Sequence, residues 1–153
     1  MLKLLLIALA WLALTSFVFA VHVHHGNNMY PFIMDGDVVV SFRPGSIRTG
    51  DAVLYRRPDG SLNVSRMAAL PGSSVDIREN GSILINGYVP NEKVFYPTEL
   101  PEDTETSYPL ETGEGCFLLD DYRPGGYDSR SFGAVPKKDV LGRIVYVIRR
   151  RGI

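Results

Sequence analysis

The 153 residues suffice for one domain with a buried core plus one apolar segment. Sixteen lysines and arginines nearly balance seventeen acids, so the totals carry no electrostatic footprint of a nucleic-acid partner. A single cysteine, Cys116, excludes an intramolecular disulfide and a paired-cysteine metal site, and Phe117-Leu118-Leu119 beside it predicts a buried structural thiol.

Leu4 to Val21 is apolar apart from Thr15 and Ser16 and carries no charge, which suits a spanning helix at the short end of the range. Lys3 precedes it and no lysine or arginine follows before Arg43, so the positive-inside rule keeps the N-terminus cytoplasmic and places the rest outside. The predicted organisation is a single-pass transmembrane signal anchor over residues 1–23 in the cell membrane and an extracytoplasmic domain over 24–153. Val18-Phe19-Ala20 also suits a small-residue cleavage site after Ala20, but the apolar run is longer than a typical signal core. His22 and His24 would share a face of an extended segment. With no second histidine or cysteine cluster, polar residues at the foot of an anchor explain them more simply than a metal site, and no metal or cofactor is predicted.

Gly26 to Asp37 then forms a bend: Pro31 fixes its own φ and favours an extended Tyr30, and Asp35-Gly36-Asp37 reads as a turn. Phe32, Ile33 and Met34 form an apolar lip suited to the membrane interface, and equally suited to a core. Beyond it the pattern is of short strands at Val38–Phe42, Ala52–Tyr55, Leu62–Met67, Ser74–Ile77, Ser82–Ile85, Cys116–Leu119 and Arg143–Ile148, punctuated by glycine turns. Asn80-Gly81 predicts a two-residue hairpin. Pro97 to Gly115, acidic and rich in proline, reads as a solvated surface loop. Arg149-Arg150-Arg151 suits either anionic headgroups or a solvated terminus. The fold class is mainly β, a compact barrel or sandwich.

Four stretches, taken in order, carry a resemblance. Gly26-Asn27-Asn28-Met29-Tyr30-Pro31 with Asp35-Gly36-Asp37 resembles the nucleophile box of the type I signal peptidases, membrane-anchored serine proteases with a serine–lysine dyad. Gly50-Asp51 before an apolar strand, and Val64-Ser65-Arg66-Met67-Ala68-Ala69-Leu70-Pro71-Gly72, resemble the boxes that follow. Leu119-Asp120-Asp121-Tyr122-Arg123 with Asp128-Ser129-Arg130-Ser131-Phe132-Gly133 resembles the last, where the family's Gly-Asp-Asn-Arg stands as Asp120-Asp121-Tyr122-Arg123. The resemblance covers nearly the whole chain, and the short region between the base box and the last box is similar to Gram-positive forms. It implies a signal-peptidase-like β fold behind a transmembrane helix.

The resemblance also places Asn28 at the nucleophile, Ser65 at the general base and Gly126 at the serine that supports the base. A hydroxyl attacks only when a neighbouring base takes its proton, and a lysine does so only when burial lowers its pKa. A carboxamide does not usefully attack a peptide carbonyl, and an alcohol is no base near neutral pH. Loss of a nucleophile costs on the order of a millionfold in rate.

The implied function is a non-catalytic holder of an extended peptide from an exported preprotein. It is similar to the dyad-lacking proteins of Gram-positive pilus assembly, which would make a pilin segment the partner. Gly26, Asn28, Met29, Pro31 and Arg66 would form the peptide groove, with the Asn28 amide donating to a bound carbonyl. Asp121, Asp128, Ser129, Arg130 and Gly133 would be structural, with Asp128 and Arg130 pairing along an extended segment. The lipid contact would come from the anchor and from Phe32, Ile33 and Met34. The competing reading is an active signal peptidase that cuts exported preproteins after small residues. A plainer one is a membrane-attached β domain with no groove.

Overall fold

The structure, a computed structural model, describes residues 3–5, 17–91, 96–102, 104 and 106–150. The strands among them are β1 (Phe19–Val23), β2 (Val38–Phe42), β3 (Ala52–Arg56), β4 (Leu62–Ala69), β5 (Ser74–Ile77), β6 (Ile83–Ile85), β7 (Leu110–Glu111), β8 (Gly115–Leu119), β9 (Val135–Pro136) and β10 (Val140–Ile148). Helix α1 (Ser129–Phe132) is a single turn, and Lys137–Asp139 is a 3-10 turn. Seven strands form a curled antiparallel sheet in the order β1-β2-β10-β3-β4-β8-β9, and a smaller sheet runs β6-β5-β7. The mainly β expectation holds.

Most of the anchor run lies outside the described residues. Among the described residues no helix is long and apolar enough to cross a membrane. Phe19–Val23, read from the sequence as the end of that run, is instead edge strand β1, paired Val21 to Val40 and Val23 to Val38. Apolar continuity misled here, because an edge strand rich in apolar side chains that directly follows an apolar run reads as one unbroken hydrophobic stretch.

β3 and β8 are buried on both faces, which is why Ala-Val-Leu-Tyr and Cys-Phe-Leu-Leu show no polar alternation. Ala52 and Leu54 pack with Met29, Ile33, Val39 and Val64, while Val53 and Tyr55 face Met67, Cys116, Leu118 and Val135. Phe117 and Leu119 join Ala69, Val75, Ile77 and Ile83 under the small sheet. Ile33 and Met29 are therefore core residues, fully buried. Of the apolar lip only Phe32 and Met34 stay exposed, together with Tyr30.

Three local expectations change. The β5–β6 hairpin closes with three residues between Arg78 and Ser82, not two: Arg78 N donates to Ser82 O at 2.9 Å, and Gly81 takes φ +76°. Residues 28–32 are turn rather than an extended approach to Pro31, and the Tyr30–Pro31 peptide is cis. Pro97–Gly115 is not a free loop. Its Leu110–Glu111 forms β7, Tyr108 packs edge-on against Phe117, and Thr98 and Thr112 are buried.

Candidate functional site

The bend that presents residue 28 is fixed almost wholly by its own short side chains. Asp35 Oδ1 accepts from Gly26 N at 2.7 Å, Asn27 Oδ1 from Asp35 N at 3.2 Å and Asp37 Oδ2 from Met34 N at 3.0 Å. Gly26 sits at φ +91°, where a Cβ is disfavoured. Met29 beneath is a buried peg, so it anchors the bend rather than lining a groove. Gly26 and Pro31 are exposed on it.

Asn28, Ser65 and Gly126 come from three distant stretches and meet around one carboxyl, Asp120. Asn28 Nδ2 donates to Asp120 Oδ1 at 2.8 Å and to Val64 O at 2.9 Å. Ser65 Oγ donates to the same Asp120 oxygen at 2.6 Å, with the Tyr55 hydroxyl 3.3 Å away and Asn63 Nδ2 within 3.5 Å. On the far side, a Cβ at Gly126 would lie 3.3 Å from Asp120 Oδ2 and only 2.7 Å from Arg130 Nη2. The guanidinium therefore fills space that a serine side chain would enter. Asp120 is fully buried, and its Oδ2 has no hydrogen-bond partner among the described residues. Burial, and next the nearby Asp128, push its pKa up to about 7 against the pull of the Ser65 and Asn28 hydrogen bonds.

Asp120 is the residue that sequence reasoning passed over. Its signal was present, since it stands at the first position of the family's Gly-Asp-Asn-Arg, where a glycine leaves room. What the sequence did not reveal is that this carboxyl lies against both Asn28 and Ser65.

The surrounding residues hold this point in place. Tyr122 N donates to Asn28 O at 2.9 Å. Arg66 grips Asp121 through Nε at 2.6 Å and Nη2 at 2.5 Å, and its guanidinium lies 5.2 Å from the Phe32 ring centre. Arg66 thus joins the exposed lip to the segment behind Asn28. Asp128 and Arg130 pair, Nε to Oδ1 at 2.9 Å, but not along an extended segment. Asp128 is the N-cap of α1, accepting from Arg130 N at 3.0 Å. Asp128 also accepts from Asp120 N at 3.0 Å, Ser129 Oγ accepts from Leu118 N at 3.0 Å, and Gly133 caps the turn at φ +81°. Buried His24 lies beside Asn28, and the contact between their side chains pulls its pKa up against the stronger lowering by burial and then by His22.

Two surface clefts lie elsewhere. One of about 840 Å³ opens between Gly72, Gly113 and Lys138, and another of about 400 Å³ lies behind Gly126 between Glu99, Arg123 and Tyr127. Neither includes Asn28, which is partly exposed.

The site is thus one bend over a buried polar cluster on a curled antiparallel sheet, with an amide and an alcohol at its centre. The family described as signal peptidase, peptidase S26, matches residues 1–148, and the chain belongs to it. It is 28% identical over 154 residues to a Staphylococcus aureus strain Mu50 protein named inactive signal peptidase IA, covering 94% of this chain and 87% of that one. It is 29% identical over 146 residues to the signal peptidase I of Bacillus caldolyticus, covering 86% and 80%. Among solved structures, a signal peptidase I from Enterococcus faecalis V583 superposes with a TM-score of 0.54 at 27% identity, covering 65% of this chain and 97% of that one.

Proposed function

We propose that this protein is a non-catalytic member of the signal peptidase family that holds an extended segment of an exported chain at the membrane surface. The observation that carries the reading is the Asp120 carboxyl, bonded at once to the Asn28 amide and the Ser65 hydroxyl. No group there serves as an activated attacking oxygen: Ser65 is fully buried, and Asn28 is a carboxamide. A pilin is one exported chain that fits, and nothing in the site singles it out.

The membrane side of the proposal rests on one sheet face. Register places Val21, Val40 and Tyr146 in one row and Val23, Val38 and Ile148 in the next. Val21, Tyr146 and Ile148 are 69%, 64% and 50% exposed, an apolar surface that water alone does not favour. An apolar segment ending by Val18 would set this face against the bilayer, with the N-terminus cytoplasmic and the domain outside.

The test is turnover of a signal-peptide substrate. The natural protein is expected to give none, and Asn28→Ser/Ser65→Lys is expected to stay inactive as well. A lysine at 65 would meet the Asp120 carboxylate and stay protonated, and so be no base. Adding Asp120→Gly removes that partner, and slow cleavage is expected only then. Cleavage by the natural protein would end the holding reading, whereas cleavage by the double variant would show that Asp120 does not block the chemistry.

A further inference from the structure

We infer that two copies of this chain pair through their β1 edges, antiparallel about Val21, and so join their large sheets into one. The inference goes beyond the peptide-holding reading and rests on the bilayer placement made in the same proposal.

β1 is the outer strand of the seven-stranded sheet, and no other described strand pairs with its free side. His24 N donates to Asp37 O at 2.8 Å, and Arg43 N donates to Val18 O at 2.9 Å. Bonded residues alternate along an antiparallel pair, so Val18, Ala20, His22 and His24 turn their peptide groups toward β2. Phe19, Val21 and Val23 therefore each turn an N–H and a C=O to the free edge.

Natural sheets guard such an edge with lysine, proline, a bulge or a covering element. β1 reads Phe-Ala-Val-His-Val, with no proline, lysine, arginine or acid, and its register with β2 is unbroken. Two copies meet there without like carboxylates, ammonium groups or guanidinium groups facing each other. Each offers the alternating donors and acceptors that the other needs.

A two-fold at Val21 sets Val21 opposite its copy and Phe19 opposite Val23. Every outward residue of β1 then sits in a bonded pair that exchanges two N–H···O bonds. Moving the two-fold by one residue either way leaves an outward residue of each copy outside the ladder. The pairing about Val21 is thus the fullest that β1 makes with itself.

The symmetry also suits a membrane. The two-fold of an antiparallel pair stands perpendicular to the sheet, so both copies turn the same face the same way. The surfaces that expose Val21, Tyr146 and Ile148 become continuous across the axis. Laid on a bilayer, that shared surface leaves both N-terminal segments on one side, as a single membrane demands. A five-residue strand makes a small interface for partners in free solution, so the pairing belongs to chains confined to one surface.

The test is cross-linking of the full chain in lipid vesicles by a short bis-maleimide, each variant first shown folded by circular dichroism. Cys116 is buried and should not react. Val21→Cys is expected to give covalent dimers. Val23→Cys, roughly 13 Å from its copy in this register, is expected to give none. Adding Val23→Pro to Val21→Cys removes an outward N–H from each copy and leaves the ladder to β2 whole. It is expected to weaken dimerisation about tenfold. If chains that float with the vesicles give no Val21→Cys dimers, or as many from Val23→Cys, or a yield that Val23→Pro leaves unchanged, the pairing is overturned and the bilayer placement stands. Chains that fail to float overturn both.

Discussion

Asp120 carries an unusual load for a single carboxyl. Two donors converge on one oxygen and favour the charged form, but burial, and next the nearby Asp128, outweigh them, so ionisation is disfavoured until about pH 7. Between the ordinary 3.8 and about 7 the folded state therefore binds more proton than the unfolded one. Stability falls as pH rises through that window, and the deficit is complete above it. Asp120→Asn keeps an acceptor for Ser65 and Asn28 and removes the charge. Urea unfolding should show it more stable than the natural chain at pH 8, by on the order of 2–4 kcal/mol, with little difference at pH 4. His24 works in the opposite sense. Burial first, and His22 second, lower its pKa from 6.5, so the unfolded chain takes up a proton more readily and stability is lost as pH falls below about 6.5. His24→Leu should flatten that acid limb in the same titration.

At the scale of elements, the bend and helix α1 hold the site from opposite sides. Gly26 at φ +91° lets the chain turn from β1 toward Asn28. Gly26→Ala forces a side chain into that conformation, and thermal melting should report a loss of about 1–2 kcal/mol. Asp128 caps α1, pairs with Arg130 and accepts from the amide of Asp120, all while fully buried. Asp128→Ala strands a buried guanidinium and should cost about 3–5 kcal/mol in chemical denaturation, or abolish folding. The cap was not legible in advance. Asp-Ser-Arg also suits an extended segment, and only the packing of Ser129 and Arg130 behind β8 favours a helical turn.

For the molecule as a whole, the sheet exposes Val21, Tyr146 and Ile148 on one face at its β1-β2-β10 end. A polarity-sensitive dye on Tyr146→Cys should shift to the blue when the full chain is placed in lipid vesicles, while one on Lys138→Cys should not. Cys116 is buried and should escape labelling. An unshifted Tyr146→Cys signal would remove the bilayer from the account of that face.

Residue type and periodicity by themselves determined a great deal. Short apolar runs and β-branching located seven of the ten strands among the described residues but not β1, β7 or β9, and the amide at 28 and the alcohol at 65 are facts of composition that no folding can alter. The tertiary structure alone decided how those groups are used. Asn28 reaches its two acceptors across 36 and 92 residues of sequence, and hydrogen-bond direction depends on which atom the fold sets opposite. The same holds for β1 and for the buried Ile33, whose apolar side chains suit a bilayer, a sheet edge or a core until neighbouring strands cover one face. Local chemistry names the groups present; burial and long-range pairing choose which of their atoms are spent on neighbours.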